Sequence, residues 1–184
     1  EALTKRGLSA KVFTMAFSPD GKQVASAGAN KTVNVWDTTS GEEMFTLKGH
    51  TLEVLRVTFS PYGKWIASAS KDESVKVWDT KTGQESLTLK GHNHGVWDVA
   101  FSTDGKLLAT AGDDTLVKVW DVMNGKEMFM MVGHEDSVMR VAFSPDSKRV
   151  ISADNVTVRI WNATTGLEAF KWKAKFPEVF SVTI

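Results

Sequence analysis

The chain has 184 residues, and 22 Lys and Arg residues balance 22 Asp and Glu residues, so its formal net charge is zero. This balance argues against a protein whose main task is to coat nucleic acid or an anionic membrane. The sequence contains no cysteine, which excludes disulfides, thiolate metal sites and a cysteine nucleophile. Hydrophobic residues make up 42% of the chain, enough for a packed core, and no apolar run is long enough to predict membrane insertion.

The second quarter of the chain shows which elements the sequence predicts. Val54–Phe59 is rich in β-forming residues and ends at a Ser-Pro-Tyr-Gly turn, and Trp65–Ser70 is a second short apolar run. Ser74–Trp78 alternates Val with Ser and Lys, and Ser86–Lys90 precedes a Gly-His pair. Four short strands joined by tight turns predict an antiparallel meander. Because no stretch of the chain shows convincing helical periodicity, we expect an all-β fold.

Three kinds of residue pair recur at a constant interval. Phe-Ser pairs begin at residues 17, 59, 101 and 143, always 42 residues apart. Trp-Asp pairs begin at 36, 78 and 120, and a Trp-Asn pair follows after 41 residues; Gly-His pairs begin at 49, 91 and 133. The agreement predicts one repetitive domain over 1–184, with units at about 8–49, 50–91, 92–133 and 134–174 and partial units at 1–7 and 175–184.

This period, punctuated by Gly-His and Trp-Asp pairs, resembles the WD-repeat β-propeller family over nearly the whole chain. The resemblance implies four-stranded antiparallel blades around a central axis, with each repeat supplying the outer strand of one blade and the inner three of the next. It also implies closed rings of seven or eight blades. Four blades leave apolar flanks open, so we expect a partial ring, continued by further repeats or completed by another chain.

Each complete unit carries a His, a hydroxyl residue, an Asp and a Trp at equivalent positions. Together they suggest a hydrolase triad, but a triad is made once per active site, whereas this set recurs. The resemblance implies instead a structural tetrad in which Asp accepts from His, His meets the hydroxyl, and the hydroxyl meets the indole N–H. The sets are His50, Ser68, Asp72 and Trp78; His92, Thr110, Asp114 and Trp120; and His134, Ser152 and Trp161 with Asp154 or Asn155.

The tetrad positions are incomplete at the start of the chain. In the first unit Leu8 and Asn30 stand where His and Asp are expected, while Ser26 and Trp36 remain. We expect no metal, because His92 belongs to a tetrad and His94 alone is no site. We expect no cofactor, because no glycine-rich phosphate-binding motif occurs.

The resemblance implies that partners dock around the narrow end of the central channel, through positions four and six before the repeated Phe and the position before the turn Asp. The first of these is large and apolar in every unit, which favours an apolar ring with a polar rim, with Trp97 and Phe13 as anchors. The alternative is that these side chains pack between blades. The predicted contacts are Phe13, Leu55, Trp97, Met139 and Phe180, with Lys11, Glu53, Lys71 and Asp113 as polar neighbours.

Arg56 and Arg140 occupy one equivalent position two units apart. Such arginines suit a clamp for an acidic or phosphorylated peptide. The alternative is that they are solvated or paired with nearby acidic side chains.

These features favour a non-catalytic protein–protein interaction scaffold that presents a rigid face to a protein or peptide. The alternative is a sensor or regulatory propeller domain of a larger protein that carries a kinase or signalling ATPase elsewhere. An enzyme with a site at the channel mouth would need a singular acid, base or ligand cluster, and the repeats show none. We expect no nucleic-acid partner and no membrane insertion, consider self-association or ring completion open, and take a cytoplasmic location from the resemblance alone.

Overall fold

The computed structural model describes residues 10–173, which form four antiparallel sheets of four strands each. In every sheet the strands pair in chain order, so each sheet is a simple meander. The first strands of successive sheets contact one another, as the inner strands of neighbouring propeller blades do. The predictions of an all-β fold and of four-stranded antiparallel blades are therefore confirmed.

The strand bounds repeat from blade to blade. The first blade contains β1 (Val12–Phe17), β2 (Gln23–Gly28), β3 (Thr32–Asp37) and β4 (Glu43–Lys48). The second contains β5 (Val54–Phe59), β6 (Trp65–Ser70), β7 (Ser74–Asp79) and β8 (Glu85–Lys90). The third contains β9 (Val96–Phe101), β10 (Leu107–Gly112), β11 (Val117–Asp121) and β12 (Glu127–Met131). The fourth contains β13 (Arg140–Phe143), β14 (Arg149–Ala153), β15 (Thr157–Asn162) and β16 (Glu168–Lys173).

Tight turns join these strands, and one of them shows why the glycine is needed. Gly83, between β7 and β8, has a φ of 68°, a left-handed conformation that costs glycine little. A Cβ atom at this position would lie 2.6 Å from the ring of Phe45 on the preceding blade. The turn therefore requires glycine both for its backbone and for the close approach of two blades.

The hydrophobic core lies between the blades. At each junction a face of Ala and Val side chains on one blade packs against larger side chains on the next. At the first junction these are Ala25, Ala27, Val33 and Val35 against Val54, Val57, Phe59, Ile66 and Trp78. Burying one large side chain of this kind contributes roughly 1.5–3 kcal/mol, so the contacts between blades are the main source of stability.

Two flanks of the four-blade stack have no neighbouring blade in the described residues. Met15 and Phe17 of the first blade are 67% and 70% exposed, whereas the equivalent Val57 and Phe59 of the second are 2% and 8% exposed. On the fourth blade Trp172 is 52% exposed and stacks on Phe170 at 6.0 Å. The four sheets do not close into a ring, and the flanks expose side chains of the kind that the internal junctions bury.

In the described part of the chain no helix has the length and apolar character needed to cross a membrane. The partial units 1–7 and 175–184 and the predicted contact Phe180 lie outside the described residues.

Candidate functional site

The second, third and fourth blades each bring together a His, a hydroxyl, an Asp and a Trp. In the second blade His50 Nδ1 lies 2.8 Å from the Asp72 carboxylate and Nε2 lies 2.8 Å from Ser68 Oγ, which accepts a 2.9 Å bond from the Trp78 indole. The third blade repeats this chain through His92, Asp114, Thr110 and Trp120. The fourth repeats it through His134, Asp154, Ser152 and Trp161.

The order of donors and acceptors in a tetrad follows from its chemistry. An ionised carboxylate can only accept, so Nδ1 of His50 carries the proton that it shares with Asp72. In a neutral His, Nε2 then accepts from the hydroxyl of Ser68. The indole N–H of Trp78 donates to the same Ser68 oxygen. Each of these side-chain donors and acceptors in the tetrad thus has a partner, which is the condition for burying such groups without loss of stability.

The carboxyl groups of the tetrads are held in the ionised form. Burial by itself would raise the pKa of Asp72, but hydrogen bonds from His50, Ser74 and Thr51 lower it well below its usual range. Burial likewise opposes ionisation of Asp154, and hydrogen bonds from Thr157 and His134 nevertheless lower its pKa to about 2. These groups therefore act as fixed negative acceptors at neutral pH.

Asp154 is the acidic member of the tetrad in the fourth blade, since its carboxylate lies 2.7 Å from His134 Nδ1. The neighbouring Asn155 instead donates to Asp136.

In the first blade only the last link of a tetrad, from the indole to the hydroxyl, is present in the described residues. The Trp36 indole donates to Ser26 at 2.9 Å, while Asn30 donates to Asn34.

The hydroxyl oxygens of the tetrads are not open to a substrate. Ser68, Thr110 and Ser152 each have 0% exposure, so a nucleophilic role would require a blade to open. The Asp groups instead tie two loops together: Asp72 accepts from both His50 and the backbone N–H of Thr51 at 2.8 Å. The tetrad thereby joins the loop before an inner strand to the turn between the next two strands.

These loops lie at the end of the sheets where the inner strands begin, which we call the strand-start face. Here three inner strands each contain an extra residue, because the register with the neighbouring strand shifts between Val12 and Thr14, between Val54 and Arg56, and opposite Gly112. Such a β-bulge re-aims a side chain. The extra residues are Phe13, Leu55 and Trp97.

The bulged side chains surround one depression of about 380 Å³, which we call the central depression. Phe13 is 38% exposed, and Leu55 and Trp97 are half-buried. Met139 is also half-buried but does not line the depression. The lining residues are Phe13, Leu55, Arg56, Lys71, Trp97 and Arg140.

The predicted polar neighbours make contacts with one another and with two of the bulged side chains. Lys71 forms a 2.6 Å ion pair with Glu53, and the Trp97 indole donates to the Asp113 carboxylate. Lys11 Nζ lies 5.4 Å from the centre of the Phe13 ring, within the range of a cation–π contact.

Sequence reasoning missed one residue of this region, Asp98. Its side chain is only 4% exposed and lies 3.0 Å from Arg56 Nε. The position is equivalent to Thr14, Arg56 and Arg140 in the other blades. The sequence signal that could have indicated this ion pair is an Asp at the position where the neighbouring units have Arg.

In the described residues no group of three or more His, Asp or Glu side chains is arranged to hold a metal ion.

A family model described as "WD domain, G-beta repeat" matches residues 4–37, 41–79, 83–121 and 125–162. These matches cover most of the chain, which therefore belongs to the WD-repeat family, whose members generally serve as protein-interaction scaffolds. The 41–79 match covers β4 of one blade and β5 to β7 of the next.

A shorter similarity links this chain to a curated protein, "Periodic tryptophan protein 2" of Arabidopsis thaliana. The two are 49% identical over 37 residues, which amount to 20% of this chain and 4% of that protein. The chain thus matches only a small part of the length of this relative.

Asp114→Ala should lower the free energy of unfolding by about 1–3 kcal/mol, because it leaves His92 buried without its acceptor. Urea denaturation measures this loss. Asn30→Ala is the matched control, since Asn30 occupies the equivalent position but is exposed and makes no bond to a His in the described residues; its effect should stay below about 0.5 kcal/mol. Equal losses of unfolding free energy in the two variants would contradict a structural role for the tetrad.

Acidification should destabilise the fourth blade in two steps. Burial lowers the pKa of His134 from 6.5, although Asp154 opposes the shift; the unfolded chain therefore takes up a proton first, and stability falls as the pH drops below 6.5. The stability from the lowered pKa of Asp154 is complete above 3.8 and is lost as the pH falls towards 2. Denaturation at a series of pH values should show a shallower slope between about pH 7 and 5 in His134→Gln. The exposed His94→Gln should keep the slope of the wild type.

Proposed function

We propose that this chain is a non-catalytic scaffold that binds a protein or peptide in the central depression of the strand-start face. The observation that carries the proposal is the set of three bulged apolar side chains around one concavity. Apolar anchors in a concave centre with charged groups at the rim are the usual composition of a binding site for another protein. Phe13, Leu55 and Trp97 are the anchors.

The tetrads support this function because they fix the loops from which two of the anchors, Leu55 and Trp97, project; the first blade, which carries Phe13, has only the Trp36–Ser26 link in the described residues. Asp72 ties the loop before Leu55 to the turn that carries Lys71, and Asp114 accepts from the backbone N–H of Asn93, shortly before Trp97. A Cβ atom on Gly95 would lie 3.3 Å from the Cα of Lys71, so the loops of neighbouring blades also touch. A face that is already ordered loses less entropy when a partner binds.

Selection of random displayed peptides on the immobilised protein tests this function. Selected peptides should bind the wild type, and Trp97→Ala should weaken that binding by at least about tenfold without lowering the melting temperature. Phe13→Ala provides a second variant in case Trp97→Ala unfolds. Tyr62→Ala is the control, because Tyr62 is 79% exposed in the β5–β6 turn at the other end of the blade. Failure to enrich any peptide, or equal losses in Trp97→Ala and Tyr62→Ala, would refute the proposal.

We also propose that the two flanks, which no blade of the described residues covers, pack against further propeller blades, and that a second copy of this chain can supply these blades. The exposed flank of the first blade carries the type of face that the second blade buries, and the flank of the fourth carries the opposing apolar face, with Ile151 and Ile160 where the third blade has Ala109 and Val119. At the closed junctions Val75 and Val77 are 1% and 0% exposed, while the equivalent Val158 and Ile160 are only partly covered. One chain therefore supplies both halves of the contact, as a head-to-tail assembly requires.

Sedimentation equilibrium over a range of concentrations tests self-association. We expect a mass of two chains at high concentration, and the mass of one chain for Phe17→Lys, which places a charge in the new junction. Tyr62→Lys is the control, since it changes an equally exposed aromatic side chain away from both flanks. A single-chain mass at all concentrations, or a ladder of larger masses, would contradict a ring of two copies.

A further inference from the structure

Of the three positively charged side chains that line the central depression, two form ion pairs in the described residues and one does not. Arg56 is paired with the buried Asp98, and Lys71 with Glu53. Arg140 makes no ion pair with a carboxylate in the described range; its guanidinium donates one hydrogen bond, to the carbonyl of Met139 at 2.6 Å. Among the cations that line the depression, Arg140 is therefore the one without an ion-pair partner in the described residues; a further carboxylate, that of Asp113, accepts from the Trp97 indole.

Asp98 gives this arrangement its geometry. One carboxylate oxygen faces Arg56, and the other accepts a 3.1 Å bond from the backbone N–H of Val141, on the next blade. Burial raises the pKa of Asp98, while Arg56 and, more weakly, Arg140 act in the opposite direction. The carboxylate is thus fixed between blades and committed to groups of the protein itself.

Both arginines lie at the boundary of two spaces. They line the central depression and also a cavity of about 540 Å³ that continues along the inner strands. Arg56 remains 48% exposed although its Nε is engaged by Asp98. A guanidinium carries five N–H donors, so the two side chains keep donors available for an acceptor that enters the depression.

We propose that the central depression recognises an acidic side chain of a partner peptide, whose carboxylate binds Arg140 and Arg56 while an adjacent apolar side chain packs against Trp97 and Phe13. This inference rests on the proposed function and specifies its partner. Arginine suits the role because its planar donors match a carboxylate in a bidentate arrangement.

The charge balance favours a carboxylate over a phosphate. One carboxylate neutralises the unpaired charge of Arg140. A phosphate monoester carries a charge of about −1.5 to −2 at neutral pH, which would leave excess negative charge close to the buried Asp98. Uncompensated charge in a partly buried site is costly, so the structure suits a monoanionic ligand.

The peptide selection described above distinguishes this inference from the proposed function. Peptides enriched on the wild type should contain Asp or Glu next to a large apolar residue. For one such synthetic peptide, Arg140→Gln should weaken binding by at least about tenfold, the range for loss of a hydrogen bond to a charged group. Arg149→Gln is the matched control: it removes the same charge from β14, at the opposite end of the same blade.

The results of the peptide experiments distinguish failure of this inference from failure of the proposed function. Selected peptides that lack acidic residues, or that bind Arg140→Gln as well as the wild type, would overturn this inference and leave the scaffold function intact. Tighter binding of a peptide in which phosphoserine replaces the acidic residue would overturn the choice of a carboxylate. A charge swap tests the contact directly: a peptide with Lys in place of the acidic residue should bind the Arg140→Glu variant. Binding of this peptide would support the contact even if Arg140→Gln altered the stability of the protein.

Discussion

The loops of the strand-start face on the second, third and fourth blades depend on a short series of hydrogen bonds that runs from an Asp carboxylate through His and a hydroxyl to a Trp indole. The bonds in this series measure 2.7–2.9 Å in the blades that carry all four groups. Each link satisfies a polar group that would otherwise be buried without a partner, at a cost of about 1–3 kcal/mol. These hydrogen bonds run from the interior of a blade to its loops and supply directional contacts there, which apolar packing between blades does not.

This constraint connects the fold to the proposed binding face. Apolar contacts between blades set how the sheets stack, but they are not directional. The carboxylates supply direction, because Asp72 and Asp114 each hold both a His ring and a backbone N–H of the loop before an inner strand. The bulges that follow then project Leu55 and Trp97. A residue set that resembles a catalytic triad is thus used to hold a surface in shape.

Much of this could be predicted from the sequence because it repeats. The shared interval of the Phe-Ser, Trp-Asp and Gly-His pairs predicted the repeat, the apolar runs and turn residues predicted the strands within it, and recurrence of the His and Asp positions indicated a structural role. The residue that completes the tetrad of the fourth blade could not be predicted, because a one-residue deletion places both Asp154 and Asn155 near the expected position of the Asp. The role of Asp98 could not be predicted either, since it depends on contacts between strands 42 residues apart in sequence: Arg56, Asp98 and Val141 come from three blades.

Amide hydrogen exchange of the wild type and of Asp114→Ala measures the central claim most directly. The N–H groups of Thr51 and Asn93 lie in exposed loops but donate to Asp72 and Asp114, so both should exchange more slowly than the exposed Leu52 in the same kind of loop. In Asp114→Ala, exchange at Asn93 should accelerate by at least about tenfold while Thr51 keeps its protection. Rapid exchange of both amides in the wild type, or an unchanged rate at Asn93 in the variant, would show that the tetrads do not hold these loops.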